Sequence, residues 1–286
     1  MQVSHSRIET FRKCPYQYKL RYKDNLTTLP TDDPASPLIL GHALHTGIEK
    51  DVKAAIDEYY GAYPVITDNH VNEALKLEYW LPKIKEALPK DGIHELKIED
   101  EDYIGFIDYL VDVTPQVVQE NWVYDKEIEW YRDNFTNQII PKEYDLYDFK
   151  YSNNIRNYMD SEQLHLYKYY FEKLNPGKKI RNMYFMFVPK CQLKIKYKNK
   201  TNKRDETIFE FRKRILEDLD SKQIEFVKID YDPDKVISFL TDTKHAIECE
   251  EFHKNETRLC DWCEFKNYCQ NGIDYELIDR RWKRYG

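Results

Sequence analysis

The chain of 286 residues is 41% hydrophobic and 33% charged, with a formal net charge of −7. It is long enough to bury a core, and no apolar run approaches the roughly 18 residues of a membrane-spanning helix. The N-terminal segment is polar and has no signal-peptide stretch. We therefore expect a soluble, cytoplasmic protein whose six cysteines stay reduced, as metal ligands or core residues and not as disulfides.

The charge is unevenly distributed along the chain. Residues 178–214 contain 13 Lys and Arg against 3 Asp and Glu, whereas residues 91–108 are strongly acidic. The basic stretch is either a solvated surface hairpin or a face that follows phosphates, since Lys and Arg release counterions when they pair with DNA. The sequence leaves both interpretations open.

The predicted elements begin with a helix. Residues 38–61 have helical spacing and end at Gly61, a good stop signal. Residues 94–100 and 103–113 then alternate as strands, and the acidic turn between them predicts a hairpin.

The second half of the chain continues this alternation of elements. Residues 144–151 predict a strand, and residues 161–177 predict a helix with Ser161 as its N-cap and a stop before Asn-Pro-Gly. A strand pattern over 180–198 and a helix over 233–249 follow. This order predicts an α/β fold with a mixed central sheet flanked by helices.

Three polar residues interrupt the predicted strands. Asp108 lies in an otherwise apolar strand, and Asp148 and Lys150 stand two positions apart, so their side chains share one face. Two carboxylates on adjacent strands make an oxygen-rich site for Mg²⁺ or Mn²⁺, and an ammonium beside them can orient a water. The alternative is a cross-strand salt bridge between Asp and Lys.

Three cysteines lie within ten positions of one another, at Cys260, Cys263 and Cys269. A closed site for a metal or cluster usually has four thiolates, and the remaining candidates are Cys14, Cys191 and Cys249. Soft thiolates suit zinc as well as an iron–sulfur cluster, and spacing alone does not separate the two. Cys191 falls in a strand pattern and Cys249 at a helix end, where both are expected to act as small core residues.

These residues carry a family resemblance. "GFID" followed by "YDFKYS" resembles the signature of the PD-(D/E)XK nucleases, whose restriction-endonuclease-like core has a mixed sheet flanked by helices. Four further motifs resemble the RecB/AddB-type and CRISPR-associated iron–sulfur exonucleases of that superfamily: "SRIETFRKCPYQYKLRY", "GHALHTGIE", "QLHLY" and "CDWCEFKNYC". Together the motifs run in the expected order from residue 4 to residue 269.

The resemblance implies a set of functional residues. The metal ligands would be His45, Asp108, Asp148 and the carbonyl of Phe149, and the catalytic residues would be Asp108, Asp148, Lys150, Gln163 and Tyr167. The spacing of Gly and His in the family motif selects His45 over the neighbouring His42. Gln163 and Tyr167 share one helix face, where they could hold the DNA backbone or the lysine, or form an ordinary helix surface.

The resemblance also completes the cysteine site. It makes Cys14 the fourth ligand beside Cys260, Cys263 and Cys269, and it implies a [4Fe–4S] cluster in a helical region that residues 1–30 and 250–275 form together. The whole chain, residues 1–286, would be a single nuclease domain. Residues 114–144 would be an insertion, whose Trp122, Trp130 and Tyr131 either stack on unpaired bases or cover the core.

The implied function is that of a divalent-metal-dependent DNA exonuclease of recombination, repair or CRISPR adaptation. None of the eight glycines begins a phosphate-binding loop for ATP. We therefore expect action on DNA ends or single strands, or alongside a helicase, recombination or CRISPR partner protein. The alternative is a non-catalytic iron–sulfur scaffold or DNA-binding module with a nuclease-like fold.

Overall fold

The computed structural model describes residues 2–115, 118–199, 201 and 203–280. The helices in this part of the chain are α1 (His5–Lys13), α2 (Pro15–Tyr18), α3 (Pro37–Glu49), α4 (Val52–Gly61), α5 (Asp68–Ala87), α6 (Arg156–Met159), α7 (Gln163–Leu174), α8 (Ile208–Asp220), α9 (Pro233–Glu248) and α10 (Lys266–Asn271). A π-helical turn, Lys19–Lys23, follows α2, and a 3₁₀ turn, Arg258–Trp262, precedes α10.

The strands are β1 (Leu26–Thr28), β2 (Ile93–Glu99), β3 (Ile104–Asp112), β4 (Trp122–Asp125), β5 (Trp130–Asp133), β6 (Lys142–Tyr151), β7 (Lys178–Val188), β8 (Glu225–Ile229) and β9 (Leu277–Asp279). Five of them form the central sheet in the order β2-β3-β6-β7-β8. β6 pairs with β7 in parallel, whereas β3 with β6 and β7 with β8 are antiparallel. The mixed sheet predicted from the sequence is confirmed.

The chain divides into two compact units. One contains the residues up to Thr31, the turn Ile98–Gly105 and the residues from Asp232 onward. The other contains Asp32–Lys97 and Phe106–Tyr231. Residues 1–30 and 250–275, assigned to one cluster region by resemblance, both fall within the first unit.

The first unit is built from both ends of the chain. α1 packs against α9, and β1 pairs antiparallel with β9. Tyr103 is fully buried and meets the ring of Phe239 edge to face at 6.0 Å. Segments more than 200 positions apart therefore share one core here, as Leu26 and Asp279 show by their direct pairing.

The second unit is a sheet covered on both faces. On one face a hydrophobic cluster joins α3, α4, α5 and α8 to the sheet, with Leu44, Leu81 and Ile215 fully buried. On the other face lies α7, which connects the parallel strands β6 and β7 and whose Phe171 contacts Tyr144. Because side chains alternate along a strand, Asp148 and Lys150 of β6 point to the α7 face, away from the main cluster.

The single helix predicted over 38–61 is two helices. α3 ends at Glu49, and α4 begins at Val52. The reason is Asp51, whose carboxylate accepts a hydrogen bond from the Ala54 N–H and caps the second helix. The predicted stop at Gly61 is confirmed.

The strand predicted over 180–198 is too long at its C-terminal end. β7 ends at Val188, since Pro189 has no N–H with which to continue the ladder. Cys191 therefore lies in a loop, yet it is buried within the main cluster as expected. Cys249 is only half-buried at the end of α9, where its thiol lies 3.2 Å from the Glu251 carbonyl, so its prediction as a core residue is wrong.

The helix predicted over 161–177, with Ser161 as its N-cap, begins one residue later than this cap predicts. Glu162, and not Ser161, is the N-cap of α7, although the Ser161 hydroxyl still accepts the Gln163 N–H at 3.3 Å. The end before Asn-Pro-Gly and the helix over 233–249 are confirmed within a residue.

Several elements have no counterpart in the sequence prediction. They are α5, α8, β8 and the two-stranded ribbon of β4 and β5. α5 contains Pro82, a residue that normally ends or kinks a helix. Among the described helices, none combines the length and the apolar character that crossing a membrane requires.

Candidate active site and cysteine site

Asp108 and Asp148 lie next to each other on adjacent strands. β3 and β6 pair with Tyr109 opposite Tyr147, and the two acids follow at the end of that ladder. The Phe149 N–H donates a hydrogen bond of 2.7 Å to Asp108 Oδ2. The pairing of β3 with β6 therefore brings the two predicted carboxylates together. A backbone hydrogen bond holds Asp108 in place.

Asp148 is a fully buried carboxylate that is paired with a lysine. It is 0% exposed, and Lys150 Nζ lies 2.5 Å from its Oδ2. Its Oδ1 accepts no hydrogen bond from the described part of the chain. Burying a carboxylate oxygen without a partner is costly, so Asp148 suits a cation that would bind it in addition to Lys150.

Next to Asp108 the structure brings together a third acid and an imidazole. His45 Nδ1 lies 3.2 Å from Glu95 Oε1 and 3.6 Å from Asp108 Oδ1. The three ligand atoms lie within 4.8 Å of one another. One nitrogen and several carboxylate oxygens form a donor set that fits Mn²⁺ well and Mg²⁺ through its oxygens.

The pKa values of His45 and Asp108 are both shifted by their surroundings. Burial would lower the pKa of His45, but the hydrogen bond to Glu95 and the charges of Asp108 and Asp148 outweigh it and raise this pKa to about 9. Burial, followed by the neighbouring charge of Asp148, raises the pKa of Asp108 well above its usual range. Without a metal the site therefore holds protons that a bound cation would displace.

Lys150 is a positioned cation. Burial would lower its pKa, but the charges of Asp148 and Asp108 outweigh burial and keep the pKa raised. Its ammonium donates a hydrogen bond of 2.9 Å to Gln163 Oε1. Gln163 in turn donates from Nε2 to the Tyr167 hydroxyl at 2.9 Å. Of the alternatives that the sequence left for Gln163, the structure places it on the lysine.

Glu95 is the residue of this site that the sequence prediction missed. In "HELKIED" it reads as one more polar position on an alternating strand. The structure gives it a φ of 49°, the left-handed region that few residues other than glycine adopt. Such strain often accompanies function, but the sequence gives no sign of it. Phe149 donates its N–H to Asp108 Oδ2, and its carbonyl stays a predicted ligand.

The four cysteines predicted to form one site line one cavity in the first unit. Cys14 lies between α1 and α2, and Cys260 lies in the 3₁₀ turn. Cys263 follows that turn directly, and Cys269 lies in α10. The cavity has a volume of about 230 Å³, and all four are free thiols. Burial, followed by the proximity of Cys14, raises the pKa of Cys263, so a positive centre would be needed to make it a thiolate.

The basic stretch of residues 178–214 is one of two features that the sequence linked to nucleic acid. Much of the basic stretch is already paired, as Arg204 pairs with Glu210, Arg214 with Glu206 and Arg212 with Asp68. Lys194, Lys196 and Lys198 follow β7 in an exposed loop, while Lys200 lies outside the described residues.

The aromatic residues of the predicted insertion lie on the ribbon of β4 and β5. Trp122, Trp130 and Tyr131 are half-buried and do not belong to the main hydrophobic cluster. The Trp130 indole donates to the Ile140 carbonyl at 2.7 Å. Covering the core and stacking on bases both stay hypotheses for these side chains.

The mixed sheet presents two neighbouring acids and a lysine, and a histidine of α3 lies at the same site. Residues 2–125 and 138–270 match the family model of the PD-(D/E)XK nuclease superfamily. The chain belongs to this superfamily, and the family and fold predicted from the sequence are confirmed. No match to an individual curated protein accompanies the family match.

Proposed function

We propose that the protein is a divalent-metal-dependent deoxyribonuclease that hydrolyses phosphodiester bonds at DNA ends or in single strands. The observation that carries this proposal is the meeting of two buried carboxylates, Asp108 and Asp148, with the Lys150 ammonium and the His45 imidazole. The pKa values of His45 and Asp108 are both raised in this site. A site built only for stability gains little from so many buried ionisable groups, and clusters of groups with shifted pKa values are typical of functional sites.

His45, Glu95, Asp108 and Asp148 would hold the cation. When bound, Mn²⁺ or Mg²⁺ supplies Lewis-acid stabilisation of the charge that develops on the phosphate, and it acidifies water. Lys150 has a raised pKa and therefore acts as a donor and not as a base. It would orient the attacking water and neutralise a phosphate oxygen, while Gln163 and Tyr167 hold its ammonium in position.

We further propose that Cys14, Cys260, Cys263 and Cys269 hold a [4Fe–4S] cluster. Support comes from the four free thiols around one cavity and from the resemblance of the cysteine motifs. The site joins segments about 246 positions apart, so the cluster would stabilise the first unit by closing a long loop. Its role would be structural.

The finer assignment follows from the resemblance of the motifs. We place the protein among the RecB/AddB-type and CRISPR-associated exonucleases, acting in recombination, repair or CRISPR adaptation, in the cytoplasm, alongside a helicase or another partner protein. Both units would serve one nuclease, with residues 114–144 as an insertion. In support of the insertion, the interval between the two stretches matched by the family model falls inside it.

The test is a digestion of end-labelled DNA with and without Mn²⁺. The wild type should release labelled nucleotides only with the metal, and Asp148→Asn should release none. Because the amide leaves the buried Lys150 ammonium without its carboxylate, the variant should melt lower than the wild type, and circular dichroism at the assay temperature shows that it is folded. Undiminished cleavage by both Asp148→Asn and Asp108→Asn would reject the site, and a wild type that binds Mn²⁺ and DNA without cleaving would favour a non-catalytic module.

A further inference from the structure

One face of α3 forms the floor of an open groove beside the metal ligands. Leu38, Gly41, His42, His45, Thr46 and Glu49 lie on this face and line the groove together with Pro37 and Glu95. The groove has a volume of about 510 Å³. Two of the proposed cation ligands, His45 and Glu95, are among its lining residues, so an occupant of the groove lies beside the proposed cation.

Gly41 has no structural reason to be a glycine. It lies in the interior of α3, where glycine is less favourable than alanine, and its backbone is not in the left-handed region. A Cβ built on it meets nothing within 4 Å. Gly47 on the same helix differs, since its Cβ would lie 2.5 Å from Leu81 and 2.8 Å from Ala55. The fold therefore explains Gly47 and leaves Gly41 unexplained.

The position of Gly41 indicates what the missing side chain makes room for. It lies one turn before His45, about 6 Å along the helix axis, on the same face of α3. Leu38, one turn further out, is 69% exposed and offers an apolar surface. Glu49 and Glu95 line the groove and repel phosphate along it, whereas His45 lies at the proposed cation. The groove thus suits the sugar and base of a nucleotide, with its phosphate at the cation.

We propose that Gly41 is a substrate-contact position, over which the sugar and base adjacent to the scissile phosphate pass at van der Waals distance. The inference rests on the proposed nuclease function and adds to it the path of the substrate strand. Any side chain at this position would lift the strand from the floor of the groove and move the phosphate away from the cation. An error of about 1 Å in such positioning costs on the order of 10²-fold in rate.

The test compares Gly41→Ala and Gly41→Leu with the control Gly61→Ala. Gly61 is the last residue of α4 and its Cβ would also meet nothing within 4 Å, so it shares the open space at Cβ with Gly41 without lining the groove. Both Gly41 variants should keep their Mn²⁺ affinity and melt as high as the wild type or about 1–3 °C higher. Their kcat/KM on a labelled single-stranded oligonucleotide should fall about 10-fold for Ala and about 100-fold for Leu.

Two results would overturn the inference. If the wild type cleaves the oligonucleotide and Gly41→Leu cleaves it equally well, the strand does not cross α3 at this position, and the nuclease function stands. If the wild type neither binds nor cleaves the oligonucleotide with Mn²⁺ present, the proposed function and the inference both fail. A loss of activity with unchanged melting and metal affinity, absent in Gly61→Ala, supports it.

Discussion

The Lys150 ammonium donates a hydrogen bond of 2.9 Å to the side-chain carbonyl of Gln163. This bond joins β6 to α7, and Gln163 also contacts the Tyr167 hydroxyl one turn along the helix. The two helical residues therefore serve to hold the lysine. Because Gln163 and Tyr167 are four positions apart, their side chains share one face of α7. They can therefore form one chain of hydrogen bonds that ends at Lys150.

Gln163→Ala should reduce kcat by about 10- to 100-fold with little change in Mn²⁺ affinity, because the lysine loses its positioning partner while the cation ligands remain. Tyr167→Phe removes only the outer hydroxyl and should have a smaller effect. Steady-state kinetics and calorimetry would separate the two effects. Tyr169→Phe on the same helix is the control, and a loss of metal affinity equal to the loss of kcat would contradict a positioning role.

Glu95→Gln should weaken Mn²⁺ binding by about 10- to 100-fold, because the amide cannot supply the negative oxygen that lies 3.2 Å from His45. Calorimetric titration with Mn²⁺ measures this directly. Glu86→Gln, on the exposed surface of α5, is the matched control. Equal affinities for Glu95→Gln and the wild type would remove Glu95 from the site.

Mn²⁺ binding to the metal-free protein should release protons. His45 has a pKa of about 9 without a cation, so at pH 7 it is protonated and must lose its proton to bind. Because protons compete with the metal below that pKa, apparent affinity should rise roughly tenfold per pH unit from pH 7 toward pH 9 and then level off. Calorimetry in two buffers of different ionisation enthalpy measures the released protons.

The same titration distinguishes the two histidines of α3. His45→Gln should lose both most of the affinity and its rise with pH, whereas His42→Gln should keep both, because His42 is not among the grouped ligands. An affinity that stays constant between pH 6 and pH 9 in the wild type would exclude His45 as a ligand.

Purified without air, the protein should be brown and carry roughly four irons per chain. Cys14→Ser should bleach it and lower its melting temperature, since the clip between the ends of the chain is lost. Cys249→Ala, at a half-buried position outside the cavity, should keep colour and iron. A colourless protein with one zinc per chain would refute the cluster and spare the nuclease, and iron lost in Cys249→Ala but kept in Cys14→Ser would overturn the choice of ligands.

Replacing Lys194, Lys196 and Lys198 by Gln should weaken DNA binding if their loop follows phosphates. The logarithm of affinity against the logarithm of salt should flatten by about one unit per lost contact. The control replaces Arg204, which is already paired with Glu210, and should change the slope less. An unchanged slope in the triple variant would return the loop to an ordinary solvated surface.

The sequence by itself determined the features that depend on local periodicity. Asp148 and Lys150 share a face because side chains alternate along any strand, and Gln163 and Tyr167 align because a helix repeats every 3.6 residues. Gly61 likewise ends α4, although Pro82 inside α5 shows that packing can override such a local signal. The alternation and the helical repeat follow from the geometry of the strand or helix itself, and they do not depend on which residues pack against it.

Only the tertiary structure decided which distant residues meet. Glu95 joins His45 across 50 positions because β2 places it beside α3 in a left-handed conformation, and Leu26 meets Asp279 because both ends of the chain share one core. Gly41 and Gly47 both lie in α3, and the sequence does not distinguish them. The packing shows that Leu81 fills the space beside Gly47, whereas the space beside Gly41 is open. Contacts of this kind arise from the sum of many weak packing interactions, which no local pattern of residues encodes.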